Sequence, residues 1–237
     1  MKWKAGIFFF WTVAFGPALR AQPPSFEAAS IKPSDPGHVG AQIYAPGPGR
    51  FTAMTAVLKD LMQYAYNVRP SQIVGGAHWT ESEALDIAAK AAGSPANGQL
   101  RLMVQTLLAE RFQLKVRRET RELSVYNLVV DKNGPKLLEE VAAAGIGVGT
   151  ARGNVHACGA DMPTLARVLS GHLDCVVIDR TGLEGFYNFT LTWRVDETDP
   201  AGAGLFSAIQ ELGLKLEAGK APVDVLVIES AERPSRN

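Results

Sequence analysis

One pattern, an apolar helix that runs directly into a short strand, occurs twice in the sequence and constrains the fold most. The two copies are LLAERFQLKV at 107–116 and SAIQELGLKLE at 207–217, and they share a Leu-Lys-apolar triplet. A second apolar strand follows each copy after a polar turn, VYNLVV at 125–130 and VDVLVI at 223–228. Helices combined with consecutive short apolar strands are typical of an α+β fold. The pattern therefore predicts two related α+β units.

The elements that precede each copy also correspond. Thr55 and Asp161 are residue types that cap helices, and apolar residues recur at helical spacing after both. Leu58 maps onto Leu165, 107 residues later, so the two should occupy like positions if the repeat is right. The side chains expected to face the core are Leu108, Phe112 and Leu114 in the first copy and Leu212 and Leu214 in the second.

We predict two α+β modules, each roughly β-α-β-β-α-β-β, in tandem or packed together. The segments ETREL at 119–123 and AGKAP at 218–222 are interpreted as turns between the two closing strands of each module. The predicted boundaries are a signal peptide at 1–21, a strand and Gly/Pro-rich loop at 22–49, modules at 50–131 and 154–230, a linker at 132–153, and a tail at 231–237.

Residues 1–21 have the three parts of a secretory signal peptide. MKWKAG is a basic n-region, IFFFWTVAF is an apolar h-region, and GPALRA ends in a small residue suited to cleavage after Ala21. A permanent span needs about 20 apolar residues, which favours cleavage, and an uncleaved anchor is the alternative. We therefore expect an exported protein, periplasmic or extracellular, without a membrane span after cleavage.

Charge excludes one class of function. The chain has 24 Lys+Arg and 24 Asp+Glu, and removal of residues 1–21 leaves 21 against 24. A mildly acidic chain lacks the basic field that nucleic-acid binding requires. We therefore expect no nucleic-acid partner, and the oligomeric state stays open.

The two cysteines, Cys158 and Cys175, flank one predicted helix. In an oxidising compartment two thiols of one domain are often paired, and neighbouring strands would bring these two within disulfide range. They are therefore candidates for a disulfide, with two buried thiols as the alternative. Two sulfurs without a second Cys or His pair do not make a zinc set, so no metal site is predicted.

No catalytic residue or cofactor is predicted. The sequence contains no His-Glu-x-x-His, no Gly-x-Ser-x-Gly and no Ser-x-x-Lys with supporting motifs. The glycines at 145, 147 and 149 lack the helix and the lysine of a phosphate loop, which favours a linker. The four histidines, His38, His78, His156 and His172, share no ligand spacing.

Two pairs of residues are candidates for binding. His78 and Trp79 follow two glycines and could line a pocket, or they could be an exposed loop histidine beside a core tryptophan. Asp179 and Arg180 precede Thr-Gly, and they could form the rim of a ligand loop or a simple tight turn.

Longer segments resemble a known family. They include GRFTAMTAVLKDLMQYAY at 49–66, LLAERFQLKVRRETRELSVYNLVV at 107–130 and VVIDRTGLEGFYNFTLTW at 176–193. Together they resemble the soil-associated family of exported bacterial proteins of unknown function. This resemblance implies export and no established activity. Related modules can follow the membrane part of antibiotic-sensor-type zinc peptidases, which implies an extracytoplasmic sensing role.

A weaker similarity connects each helix-to-strand unit with the short N-terminal modules of secretins and TonB-dependent receptors. These patterns favour a non-catalytic binding or interaction module, with an unknown protein or cell-envelope ligand as its partner. The first alternative is a secreted hydrolase-like enzyme, and the second is a structural envelope component. A deep pocket with convergent polar groups would favour the enzyme, whereas a shallow surface or an open sheet edge would favour binding.

Overall fold

The computed structural model describes residues 23–35, 40–140, 147–151, 153–194 and 203–234, and the predicted signal peptide lies outside them. Within these residues the fold is α+β, with five helices and three four-stranded sheets. No helix in the described ranges is long and apolar enough to cross a membrane. The helices are α1 (Leu58–Tyr66), α2 (Trp79–Ser82), α3 (Asn97–Arg111), α4 (Met162–Leu173) and α5 (Ala203–Glu211), and a 3-10 turn covers Pro70–Gln72.

Twelve strands are present in the described part of the chain. They are β1 (Ala28–Pro33), β2 (Gln42–Gly47), β3 (Arg50–Ala56), β4 (Ile73–Gly75), β5 (Leu85–Lys90), β6 (Lys115–Val130), β7 (Leu138–Glu140), β8 (Gly147–Ala151), β9 (Asn154–Ala160), β10 (Val177–Asp179), β11 (Phe186–Thr192) and β12 (Leu214–Ser230). The first sheet has the order β1-β5-β3-β2, the central sheet β10-β6-β12-β4, and the third sheet β7-β11-β9-β8.

The first sheet buries one face and exposes the other. Its strands alternate, so Phe51 and Ile87 point into a core while Arg50 and Ala88 face solvent. The apolar sides of α1 and α3 cover the inner face, and their residues Leu61 and Leu108 are fully buried. This arrangement confirms the predicted burial of Leu108, Phe112 and Leu114.

A second core forms between the third sheet and helices α4 and α5. It contains Val155 and Leu191 from the sheet, with Leu165 and Ile209 from the helices. Segments 22–49 and 132–153 lie outside the predicted modules, yet they supply strands to the first and third sheets respectively.

The predicted pairs of closing strands are wrong, because each pair is one continuous strand. Strands β6 and β12 form an antiparallel ladder that extends from Leu214 opposite Val130 to Ser230 opposite Lys115. The residues at 119–123 continue this ladder between the two large cores. Thr120 and Glu122 are exposed, whereas Arg121 and Leu123 are half-buried opposite Val223 and Ala221, which belong to a third, smaller apolar cluster. Pro222 is compatible with the strand because β4 covers only 226–228, which leaves an open edge beside its nitrogen.

The two ends of this ladder belong to different cores. Leu128, near the end of β6, is buried in the second core, whereas Leu226, near the end of β12, is buried in the first. Each short strand of the central sheet also pairs with the long strand from the other half of the chain. Strand β4 pairs in parallel with β12, and β10 pairs in parallel with β6. The first core is therefore completed by residues from the C-terminal half of the chain, and the second by residues from the N-terminal half.

The predicted alignment of the repeat is wrong by about one helical turn. Leu58 is the first residue of α1, whereas Leu165 lies three residues inside α4, so the two occupy unlike positions. Helix α4 begins at Met162, 104 residues after Leu58. A shift of three residues preserves the apolar face of a helix, which explains why the sequence pattern allowed the wrong offset.

The predicted cap at Asp161 is confirmed, and the one at Thr55 is wrong. The Asp161 side chain accepts a hydrogen bond from the Thr164 amide at 2.9 Å. Helix α1 instead begins after Val57, and Thr55 adopts a left-handed conformation with φ of 54°. Its amide donates to Asp86 Oδ1 at 3.0 Å, at a point where the register of β3 against β5 shifts.

Replacement of Thr55 by Gly is expected to raise the free energy of unfolding by about 1 kcal/mol. Left-handed strain in a β-branched residue costs on the order of 1–3 kcal/mol, and the greater chain entropy of Gly offsets part of the relief. Urea denaturation measures the change. Asn67→Gly is the matched control with φ also 54°, and it should change little because Asn tolerates this conformation. A less stable Thr55→Gly would show that the contact of Thr55 Oγ1 with Ser34 Oγ, at 3.3 Å, outweighs the strain.

Candidate functional site

The predicted disulfide between Cys158 and Cys175 is absent, and both thiols are free. Cys158 lies on β9 in the third sheet, whereas Cys175 precedes β10, which pairs with β6 in the central sheet. The expected neighbouring strands are therefore in different sheets. The alternative of two buried thiols fails as well, because Cys158 is exposed and Cys175 is half-buried.

His78 and Trp79 do not form one surface. Trp79 opens α2 with its side chain in the first core, and His78 is exposed in the preceding turn. The tail covers the tryptophan, since Arg233 Cζ lies 5.5 Å from the Trp79 ring centroid. The Arg233 guanidinium also binds Glu83, and this hydrogen bond lowers the pKa of the Glu83 carboxyl. This arrangement makes Trp79 a packing residue.

Asp179 and Arg180 lie at the end of β10. Asp179 Oδ1 accepts hydrogen bonds from the amide and the hydroxyl of Thr181, at 2.9 and 2.7 Å, which is the geometry of a tight turn. The amide of Arg180 donates to the carbonyl of Leu128, and its side chain is exposed. Of the four predicted binding residues, Asp179 alone lines the cavity of about 350 Å³ between α4 and the 3-10 turn.

The polar groups of this cavity connect the two halves of the chain. Arg69 Nη2 donates to the carbonyl of Arg167 at 3.0 Å, and the side chain of Gln72 donates to the carbonyl of Asp224 at 2.9 Å. Burial lowers the pKa of Arg69, and the nearby carboxylate of Asp174 opposes that change. Because Arg69 and Gln72 already donate to backbone carbonyls, this cavity is better explained as a structural junction.

The outer face of the first sheet carries a groove of a different kind. It has a volume of about 440 Å³ and opens to solvent across β1, β5 and β3. A second hollow of about 200 Å³ continues it along the same strands. The floor is low because the central positions carry short side chains, which are Ala28, Ser30, Thr52 and Ala88.

Two cations stand opposite each other in this groove. Arg50 on β3 and Lys90 on β5 are direct partners in the antiparallel register, and both side chains are exposed. Neither forms an ion pair with a carboxylate among the described residues. The next cation along the face, Lys32, has a carboxylate 3.8 Å away in Asp86. Like charges directly opposite on a sheet are destabilising, so the Arg50–Lys90 pair concentrates positive potential at a cost to the fold.

Sequence reasoning missed this surface. The alternation of Arg50–Met54 and of Ala84–Lys90 would have placed both cations on solvent faces. Only the register of β3 against β5 shows that the two side chains share one row. Within the described ranges no group of three or more His, Cys, Asp or Glu residues is placed to hold a metal ion.

The fold and this surface define an α+β protein with a candidate ligand-binding sheet face. A family described as protein of unknown function (DUF3738) matches residues 59–231, and the chain belongs to this family. This match confirms the expected membership of a family of unknown function. Lys90 lies inside the matched range, and Arg50 precedes it. No curated protein and no solved structure matches the chain.

Proposed function

We propose that this protein is an exported, non-catalytic binding module that holds an extended anionic ligand on the outer face of its first sheet. The observation that carries the proposal is the pair of facing cations, Arg50 and Lys90, in an open groove with a floor of short side chains. Neither cation forms an ion pair in the part of the chain that the structure describes. A cell-envelope or extracellular polymer with carboxylate, sulfate or phosphate groups has the chemistry that this face would recognise.

The groove favours an extended ligand over a small enclosed one. Its floor crosses three strands, and Tyr44, 43% exposed on the edge strand β2, extends the same face beyond Thr52. A linear polymer could place successive anionic groups along such a surface. A charge-assisted contact to Arg50 would relieve its repulsion with Lys90, so ligand binding would recover energy that the fold loses.

The proposal includes two related units in the chain, aligned at the corrected offset. The first and third sheets share a strand order in which β1, β2, β3 and β5 correspond to β7, β8, β9 and β11. A left-handed residue precedes the last residue of both β3 and β9, and the amides of Thr55 and Gly159 donate to Asp86 and Asn188 respectively. The third sheet has Asn154 and His156 on its outer face, so binding is assigned to the first unit alone.

Export, a soil-associated origin and an extracytoplasmic sensing role belong to the same proposal. They are supported by the pattern of residues 1–21 and by the family resemblance of the longer segments. A binding module outside the cytoplasm would report or retain its ligand without changing it. The hydrolase-like and structural-envelope alternatives predict different outcomes in the same experiment.

The test compares binding of immobilised dextran sulfate with binding of neutral dextran, measured by biolayer interferometry. The intact protein should bind the sulfated polymer, and Arg50→Ala or Lys90→Ala should each weaken binding about tenfold. The double variant should lose binding. Lys220→Ala is the matched control, because Lys220 is an exposed cation on the central ladder and its removal changes net charge equally.

Three results would contradict the proposal. Equal weakening by Lys220→Ala and the groove variants would indicate a nonspecific charge effect. Chain scission of the polymer would favour an enzyme. Self-association without polymer binding would favour a structural envelope component.

A further inference from the structure

A row of three polar side chains lies on the outer face of the third sheet, and no proposed function uses it. Cys158 and His156 are two residues apart on β9, so both point to this face, and both are exposed. The Cys158 Sγ lies 3.4 Å from His156 Nε2. On the neighbouring strand β11, Thr190 Oγ1 lies 2.9 Å from His156 Nδ1, since Thr190 is the register partner of His156.

The other neighbouring strand leaves this row uncovered. Gly147 on β8 is the partner of Cys158, and Gly149 is the partner of His156. A side chain added at Gly147 would meet no atom within 4 Å, so the space beside the thiol is open. Gly147 and Gly149, interpreted from the sequence as part of a linker, therefore lie in the strand that gives access to Cys158.

We propose that Cys158 is a reactive thiol that forms a mixed disulfide with a small-molecule disulfide, with His156 as its base. A nucleophile within hydrogen-bond reach of a base, which is itself held by a third group, is the arrangement that activates a thiol. The Cys158 proton moves to His156 Nε2, and the thiolate sulfur attacks one sulfur of the disulfide. The new S–S bond forms as the old one breaks, and the leaving thiolate takes the proton from the imidazolium.

Thr190 is a positioning residue in this scheme. Before the transfer, the Cys158 thiol donates a hydrogen bond to Nε2, so the neutral imidazole carries its hydrogen on Nδ1 and donates a hydrogen bond from there to Thr190 Oγ1. The imidazolium donates from Nδ1 in the same way. The threonine hydroxyl therefore fits both protonation states of His156, and it holds the ring with Nε2 towards the sulfur.

Cys175 cannot complete an internal disulfide by this route. The chain has two cysteines, and Cys175 lies by the central sheet with its Sγ 3.5 Å from the Ser124 carbonyl. Burial raises the pKa of the Cys175 thiol, which disfavours its reactive thiolate. A mixed disulfide at Cys158 therefore persists until an external thiol releases it, so the site captures its partner and does not turn it over.

The experiment measures the rate of adduct formation with oxidised glutathione, counted by intact mass in a Cys175→Ser background. His156→Gln should lower the rate about tenfold near neutral pH, and the difference should shrink in alkali, where hydroxide deprotonates the thiol without help. Thr190→Val should also lower the rate, whereas Thr190→Ser, which keeps the hydroxyl, should leave it unchanged.

Circular dichroism of each variant establishes that it is folded, so a slower rate reports chemistry at the sulfur. A rate that is the same in the Cys175→Ser parent and in its His156→Gln variant would overturn the proposal, because exposure alone would then explain reactivity. Equal rates for Thr190→Val and Thr190→Ser would overturn it as well, because the hydroxyl would then have no part in holding the ring. None of these results depends on polymer binding by the first sheet.

Discussion

Replacement of Leu226 by Ala is expected to lower the free energy of unfolding by about 2–5 kcal/mol, and to destabilise both cores together. Leu226 is 1% exposed and is buried in the first core, although it lies near the C-terminus on β12. The mirror change, Leu128→Ala, removes a fully buried side chain of β6 from the second core. Because the β6–β12 ladder passes through both cores, neither core should unfold alone.

Two tryptophans make this prediction measurable by fluorescence. Trp79 is buried in the first core, and Trp193 packs against the second. Trp3 and Trp11 are the other two of the four tryptophans in the chain. In a Trp3→Phe, Trp11→Phe background, Trp79→Phe and Trp193→Phe each keep a single tryptophan, so each reports one core in a chemical denaturation. In both Leu226→Ala and Leu128→Ala, the two probes should give coincident transitions at a lower midpoint. Two separate transitions, with only the mutated core shifted, would show that the halves are independent domains.

A matched control uses a leucine of the same size without burial. Leu138 on β7 is 74% exposed, so Leu138→Ala removes the same atoms with little transfer of apolar surface. Its free energy of unfolding should stay within about 0.5 kcal/mol of the intact chain by both probes. A large decrease in the free energy of unfolding of Leu138→Ala would mean that the effect of replacing Leu by Ala does not depend on burial in a core.

Local patterns predicted single elements of this fold well. The alternation in 84–90 and 186–193 corresponds to β5 and β11, and Asp161 caps α4 as its residue type indicated. Such features depend on neighbours within a few residues, where side-chain period and hydrogen-bonding chemistry decide the outcome. Interactions of this range are encoded in short segments of sequence.

Pairing between distant segments was harder to infer. The charged residues at 119–122 indicated a turn, although they lie in a strand whose partner is about a hundred residues away. The disulfide failed for the same reason, since the strands beside Cys158 and Cys175 pair in different sheets. A polar run identifies contact with water, and contact with water is common to a turn and to an exposed ladder.

The candidate site was missed through this dependence on register. Arg50 and Lys90 are ordinary solvent-face cations when each strand is considered alone, and their meaning comes from direct opposition across two strands. His78 and Trp79, in contrast, stood out because histidine and tryptophan are chemically conspicuous. Burial assigned the tryptophan to packing, which is the more frequent role of a large aromatic ring beside an apolar segment.

Gly213→Ala is expected to be among the most destabilising single substitutions, and to lower the free energy of unfolding by about 3 kcal/mol or more. Gly213 has φ of +72°, and an added Cβ would lie 2.0 Å from the carbonyl oxygen of Gly134. The backbone of residue 213 fixes the position of the Cβ, and the oxygen belongs to the backbone of Gly134, so neither atom can rotate away. The turn at 131–136 is tied to this point, since the amide of Asp131 donates to the Gly213 carbonyl and that of Lys136 to the Leu212 carbonyl.

The matched control separates this clash from the cost of the backbone conformation. Gly93 has φ of +78°, and an added Cβ there meets no atom within 4 Å. Gly93→Ala therefore incurs only the left-handed cost, about 1 kcal/mol, whereas Gly213→Ala must also displace the 131–136 turn at the start of the β6–β12 ladder. Urea denaturation of the two variants measures the difference. If both variants lost the same free energy of unfolding, the 131–136 turn would move freely, and the start of β12 would not depend on its contact with Gly134.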